Sequence, residues 1–443
     1  TPAPPARSNN QFWQSLEERI GARFDVQIVP TGDFEQRFQT AVAGDQLPDL
    51  FTIFTGQVPS LPAVLNEKAA DLTPFLSGGA IADYPFLANI LTENWADTVF
   101  SGKIFGVPVP RGPQSSATFY SRQDILSEMG IDEPPASLEE FLDLCRELNS
   151  PSSNVWALGQ VPLTYLRQMF GVPNQWSLED GALVRSYEAD GQEEALEAGS
   201  KLVAEGLVHP DAFGAPGSDR KTWMVNGTTL LVDDSLSGWG GFYNYPTPDG
   251  FNLEIWAPPL AGGGGTAPIW LAPPTHNITA ISIKAVERAP ALLEFLNYLA
   301  APFGTAEYEF KKYGDEGVHH TMDGTDPVLN DKGTSETQLS LKYLVEGPRV
   351  TYQAGFADVT QAQFDAHMSV VPTATRNPVQ GLYSETNTRR AAQISLDELE
   401  SDILQGRVPV SRWADGVAEW KAKGGDDIRD EFMASMEERD ASA

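Results

Sequence analysis

Helix-like and strand-like segments alternate along this chain, which predicts an α/β fold built on a largely parallel sheet. Length and composition set its scale. The chain has 443 residues, enough for two or three domains, and 41% of them are hydrophobic, so each domain can bury a sizeable core. No apolar run approaches the roughly 20 residues that a membrane-spanning helix needs.

The elements follow in order. QFWQSLEERI (11–20) reads as an amphipathic helix ending near Gly21, and FDVQIVP (24–30) alternates like a half-buried strand. DFEQRFQTAVAGDQLPDLFTIFTG predicts a helix to about Ala43, a Gly44-Asp45 turn and a short strand at 50–54. GKIFGVPVP (102–110) is a strand interrupted by Pro108 and Pro110. Next come a strand and a helix in ATFYSRQDILSEMG, then a helix opened by the capping pair Ser137 and Glu140. EEALEAGSKLVAEGLVHP is a second amphipathic helix with a His-Pro stop, and KTWMVNGTTLLVDDS gives a helix end, a Gly227 turn and a strand to Asp233. Strands follow at about 252–257 and 277–284, with the glycines 262–265 between them as a surface loop, since no Lys-Ser or Lys-Thr follows to make a phosphate cradle. The tail is helical: Ser395 and Glu398 form another capping pair, and Trp413, Val417 and Trp420 share a packing face before a Gly424-Gly425 stop.

Charge excludes some functions. Net charge is −31, from 61 acidic and 30 basic residues, so nucleic acid is repelled, and anionic membranes and polyanionic substrates are disfavoured. Cys145 is the single cysteine, so no internal disulfide forms. It shares helical spacing with Leu138, Phe141, Leu142 and Leu148, which marks it as a packing residue. TPAPPARSNN lacks the basic start and apolar core of a secretory signal; a targeting segment was removed or never existed.

Three chemistries compete for KKYGDEGVHHTMDGTDPVLNDKG (311–333). Adjacent His319 and His320 point to opposite faces of a strand, or diverge on a helix, so one metal ion is poorly served and no metal is expected. A glycosidase needs two carboxylates at a defined separation, and with 61 acidic residues candidate pairs carry no information. No nucleophile elbow or zincin motif is present. The aromatics say more. Trp239, Tyr243 and Tyr245 in SLSGWGGFYNYP, Trp270 in APIWLAPP, Trp95 in TENWADTVF and Trp176 in VPNQWSLEDG sit where strands meet loops, and flat rings with a polar edge suit sugar faces.

FQTAVAGDQLPDLFTI, GALVRSYEADGQEEALEAGSKLVAEGLVHPDAF, the YGDEG segment and the tail SDILQGRVPVSRWADGVAEWKAKGGDDI together, spread over about residues 11 to 435, resemble the family 1 extracellular solute-binding proteins of bacterial ABC importers, in their oligosaccharide-binding lipoprotein branch. The resemblance implies an α/β, two-lobed periplasmic-binding-protein-like fold of type II, with hinge strands joining the lobes and ligand clamped in a cleft between them. Residues 1–112 and 273–320 would form the N-terminal lobe, and 113–272 and 321–443 the C-terminal lobe. Two departures stand out: the family's opening strand and its lipoprotein cysteine have no counterpart here, so membrane tethering outside the cell is implied by the family alone. LNSPSS lacks the carboxylates of the calcium loop that some relatives carry, so no calcium site is expected.

Ligands of open α/β sheets lie beyond the carboxyl ends of strands. On the implied fold that selects Thr55 and Gly56, Arg111, Asp233, Asp234 and Trp239, with Trp270, Trp95, Trp176 and Tyr243 as further ligand-binding rings. Glu316 and His319 become hydrogen-bonding candidates at the cleft rim. The implied protein is a monomeric receptor without catalytic residues or cofactor, whose partners are an oligosaccharide and the permease subunits of an ABC transporter. Its rivals are a receptor for a peptide or other small solute, anchored by Arg111 or Asp234, and a carbohydrate-active hydrolase with two cleft carboxylates.

Overall fold

A computed structural model of the chain describes residues 4–111, 116–243 and 245–442. The chain divides into two compact units, Thr1–Arg111 with Pro274–Ala357, and Gly112–Pro273 with Asp358–Ala443. Seven strands build the two main sheets: β1 (Leu50–Ile53), β2 (Val107–Pro110), β3 (Ala117–Arg122), β4 (Trp156–Leu158), β5 (Thr229–Ser235), β6 (Leu253–Trp256) and β7 (Thr275–Ile281). The helices that matter below are α1 (Gln11–Ile20), α2 (Thr31–Ala43), α3 (Leu138–Leu148), α4 (Gly191–Ala204), α5 (Gly217–Val225), α6 (Ala289–Leu299), α7 (Ala306–Tyr313), α8 (Ala357–Val370), α9 (Asp397–Leu404), α10 (Trp413–Trp420) and α11 (Asp426–Ser442).

In the first unit the sheet runs β1-β7-β2, and β7 is antiparallel to both neighbours. β1 and β2 therefore point the same way, with their carboxyl ends beside the start of β7. Pro108 and Pro110 are tolerated because β2 is an edge strand. The core gathers Phe12 and Leu16 of α1, Leu293, Leu296 and Leu299 of α6, and Phe310 of α7. Burying each such side chain stabilises the unit by about 1.5–3 kcal/mol.

In the second unit the order is β6-β3-β5-β4, antiparallel except for the pair β4–β5. The expected largely parallel sheet is thus corrected: most pairings are antiparallel, because strand direction depends on how distant segments return and not on local pattern. Phe141 and Cys145 of α3, Leu196 of α4, Leu231 of β5 and the two tryptophans of α10 fill this core. Ser137 caps α3 by accepting from the Glu140 amide at 3.2 Å, while the Glu140 carboxylate reaches back to the Ala136 amide at 2.9 Å, one residue before the usual capping-box partner.

Four further expectations are revised. Residues 24–30 form no strand; Phe24 and Val26 are half-buried against the first core, which reproduces the alternation without a pairing partner. Residues 321–357, expected in the C-terminal lobe, belong to the first unit. Leu339, Leu341 and Val345 lie in its core, and Glu336 binds the start of α1. Ser395 accepts from the Asp397 amide at 3.2 Å rather than from residue 398, so α9 opens without the expected box. Gly424, at φ 132°, turns the chain between α10 and α11 where a stop was expected.

Candidate functional site

In the second unit, β4 and β5 end at the same edge because they are parallel. Gln160 follows β4, and Asp233 and Asp234 close β5. Gln160 donates through Nε2 to the Asp233 carbonyl at 3.0 Å and accepts from the Arg220 guanidinium of α5. Asp234 is ion-paired to Lys221 of the same helix, and its Oδ1 accepts from the Ser235 amide at 2.7 Å. Gly238 leaves room for this carboxylate: an added Cβ would stand 2.5 Å from that oxygen, and the Asp234 side chain would have to shift.

The Asp233 carboxyl is half-buried and accepts no hydrogen bond from the described residues. Burial, and then the Asp234 charge, push it up to about 8 against the opposing pull of Arg220. At neutral pH it keeps its proton. A neutral acid donates and accepts at once, and a guanidinium donates in a fixed fork, so this edge matches groups such as hydroxyls that do both.

The rings divide by accessibility. Trp239, 2% exposed, stands edge-on to Tyr120 at 5.6 Å in a cluster with Met224, Val232 and Phe242, and Trp176, 3% exposed, lies 5.8 Å from Phe432 and 6.3 Å from Trp420. Neither offers an open face, which corrects both as stacking rings. Trp270 is half-buried and donates to the Val172 carbonyl at 3.1 Å, and Tyr243, also half-buried, meets Phe251 edge-on at 5.3 Å.

In the first unit, Thr55 and Gly56 form the turn after β1, and Arg111 follows β2. The parallel sense of these strands brings them to one end of the sheet, with His276 of β7. Arg111 donates to Glu346 at 2.7 Å and lies 5.9 Å from the Tyr343 ring; His276 bridges Phe54 and Tyr343 at 5.3 and 5.8 Å. Trp95 is half-buried against the core. Glu316 is exposed and bridges His320 through its backbone. His319 is corrected as a rim residue: it is fully buried, its Nδ1 accepts from the Asp315 amide at 2.9 Å, and its Nε2 meets Glu336 at 3.2 Å. Among the described residues no group of three or more His, Cys, Asp or Glu could hold a metal ion, and no described helix is long and apolar enough to cross a membrane.

Sequence reasoning missed Gln160, Arg220, Lys221, Tyr343 and Glu346. The pair Arg220-Lys221, set just ahead of a strand in an acidic chain, is the one local signal; the others are recruited by folding.

A family description, bacterial extracellular solute-binding protein, matches residues 14–305, about two thirds of the chain. The chain belongs to this family. Its fold is that of the two-lobed solute-binding proteins. Lipoprotein LipO of Bacillus subtilis (strain 168) is 22% identical over 451 residues, covering 94% of this chain and 86% of LipO. The polygalacturonan/rhamnogalacturonan-binding protein YtcQ of the same organism is 19% identical over 450 residues, covering 96% and 88%. Among solved structures of solute-binding proteins, the Streptococcus pneumoniae substrate-binding protein FusA in complex with kestose superposes with a TM-score of 0.70 at 15% identity, covering 100% of this chain and 98% of FusA.

Proposed function

We propose that this solute-binding protein captures an oligosaccharide outside the cell and delivers it, unaltered, to the permease of an ABC importer. The observation that carries this reading is similarity, over 96% of this chain, to a relative named for binding polygalacturonan and rhamnogalacturonan. The polar edges support it. Gln160, Arg220 and Asp233 form one hydrogen-bonding set, and Thr55, Gly56 and Arg111 share one end of the other sheet. Trp270 and Tyr243 remain as candidate stacking rings. Arg111 and Asp234, the anchors a peptide receptor would use, are already paired to Glu346 and Lys221. Asp233 and Asp234 are consecutive on a strand, so their side chains leave opposite faces and cannot straddle one glycosidic bond. The similarity to a named lipoprotein supports membrane tethering, and we read the receptor as a monomer.

A thermal-shift panel of oligosaccharides, followed by calorimetry and chromatography of the incubated sugar, tests the reading. The expected result is saturable binding with the sugar recovered intact. Recovery of shortened sugar would establish a hydrolase, and a shift with peptides alone would establish the peptide receptor.

A further inference from the structure

On a chain of net charge −31, five cations gather on one face of the first unit. Arg111 and Arg349 reach the Glu346 carboxylate at 2.7 and 4.0 Å, and Lys311 and Lys312 of α7 are drawn to the same group. Lys342 stands 5.3 Å from the centre of the Tyr343 ring, which also faces Arg111. The nearby Asp326 carboxylate, which accepts from the Tyr352 hydroxyl at 2.8 Å and the Gly355 amide at 2.7 Å, adds a second negative charge.

Two carboxylates, Glu346 and Asp326, do not balance five cations. Lys311, Lys312 and Lys342 have no carboxylate within 4.0 Å among the described residues; Lys311 donates instead to the Leu299 carbonyl and Lys312 to the Tyr308 hydroxyl at 3.3 Å. Burial and then, beyond the attraction of Glu346, the neighbouring cations lower both α7 lysines, Lys311 to about 8. Five cations against two carboxylates leave a local positive excess, which an incoming anion relieves.

The walls are aromatic. Lys312 Nζ lies 5.4, 5.6 and 5.8 Å from the rings of Tyr313, Tyr308 and Tyr352. Burial raises the Tyr308 and Tyr352 hydroxyls to about 12; Tyr352 already donates its proton to Asp326, whereas the Tyr308 hydroxyl accepts from Lys312 at 3.3 Å and keeps its own proton to donate. Phe303 and Tyr343 are 46% and 38% exposed and present ring surface beside the charges. Cations, a hydroxyl donor and flat apolar faces together suit a ring that carries both C–H faces and an acid group.

We propose that this face is an anion subsite, and that the oligosaccharide it serves carries carboxylates, as a chain of uronate sugars does. The proposal rests on the sugar-receptor reading above. It also locates an exception to the expectation that an acidic chain avoids polyanions: the local excess of cations reverses the global charge at this face.

The test is calorimetry of the full chain with uronate trisaccharides (galacturonate, mannuronate and glucuronate) and with their methyl esters, which keep the skeleton and lose the charge. The best acid should bind at least about tenfold tighter than its ester, and the gap should shrink as salt rises from about 20 to about 200 mM. Arg349→Gln and Lys312→Gln should narrow the gap, and Glu346→Gln should widen it, a gain that misfolding would not produce. Esters or neutral sugars binding as tightly as the acids would overturn the anion subsite while leaving the sugar receptor standing. A sulfated trisaccharide that outbinds every uronate would overturn the carboxylate assignment. Failure of every sugar, charged or neutral, would remove the sugar reading itself.

Discussion

Arg111 donates to Glu346 at 2.7 Å, joining residues 235 apart in sequence at the carboxyl end of β2. Both side chains are substantially buried, at 12% and 22% exposure. Burial lowers the guanidinium and Glu346 restores part of the loss, while Arg349 adds repulsion. Glu346→Ala should therefore leave Arg111 sparsely solvated beside another cation. The expected cost is about 1–2 kcal/mol in urea unfolding, since charged hydrogen bonds contribute about 1.5–3 kcal/mol before any discount for partial exposure. No loss would mean that the pair is a surface contact of little consequence.

His319→Ala should destabilise the protein by about 2–4 kcal/mol and leave ligand affinity unchanged. The ring is fully buried, and its partner Glu336 also accepts from the Gln11 and Phe12 amides at 2.7 and 3.1 Å. These are the open amides of the first turn of α1, where a carboxylate is favoured by the helix dipole. Denaturation and calorimetry on one preparation separate the two effects. A stable variant with weakened binding would restore His319 to the ligand site.

Trp176→Ala should lose about 3–5 kcal/mol, as large-to-small changes at buried aromatics do, again with binding intact. Its indole is held against Phe432 of α11 and Trp420 of α10. Trp270→Ala should do the reverse: a smaller stability loss and weaker sugar binding, because that ring is only half-buried. Equal affinity in the Trp270 variant would remove it from the site.

These contrasts show what was readable before folding. α3 was legible to its capping residues because cap, apolar spacing and stop all lie within a dozen residues. The strand ends bearing Thr55, Arg111 and Asp233 were legible for the same reason. The antiparallel insertion of β7 was not, nor was the allegiance of 321–357, since both are decided by contacts between distant segments. Aromatic position was misleading where tertiary packing decided exposure: Trp176 opens a strand and Trp239 a short helix just after one, places where sugar-stacking rings would sit, yet both are covered. Gln160 and Glu346 carried no signal of their own, because each matters only through a partner brought to it by the fold.

Asp97 sets a pH slope in the first unit. Burial raises its carboxyl to about 6, with a smaller push from Glu93, against the hydrogen bond to Thr275. The folded state then holds a proton that the unfolded chain releases near its ordinary value of 3.8. Stability should fall as pH rises from about 4 to about 6 and level off above that, by up to about 3 kcal/mol. Asp97→Asn should remove this component, so the parent and variant stability curves diverge across that window. Parallel curves would show that Asp97 ionises freely.

Asp233 sets a second slope, this time for the ligand. Its carboxyl, half-buried with no hydrogen bond from the described residues, keeps its proton up to about 8. If ligand meets the neutral acid, binding must exclude the ionised form, and affinity should fall about tenfold per pH unit above 8. Lys311 loses its charge in the same range, so the parent curve alone mixes two titrations. Asp233→Asn separates them: the amide still donates and accepts but cannot ionise. The variant should bind comparably at pH 7 and keep only the shallower dependence due to Lys311. The difference between the two curves is the contribution of one proton at the carboxyl end of β5. Superimposable curves would place ligand away from Asp233 and shift the site toward the face of Arg111.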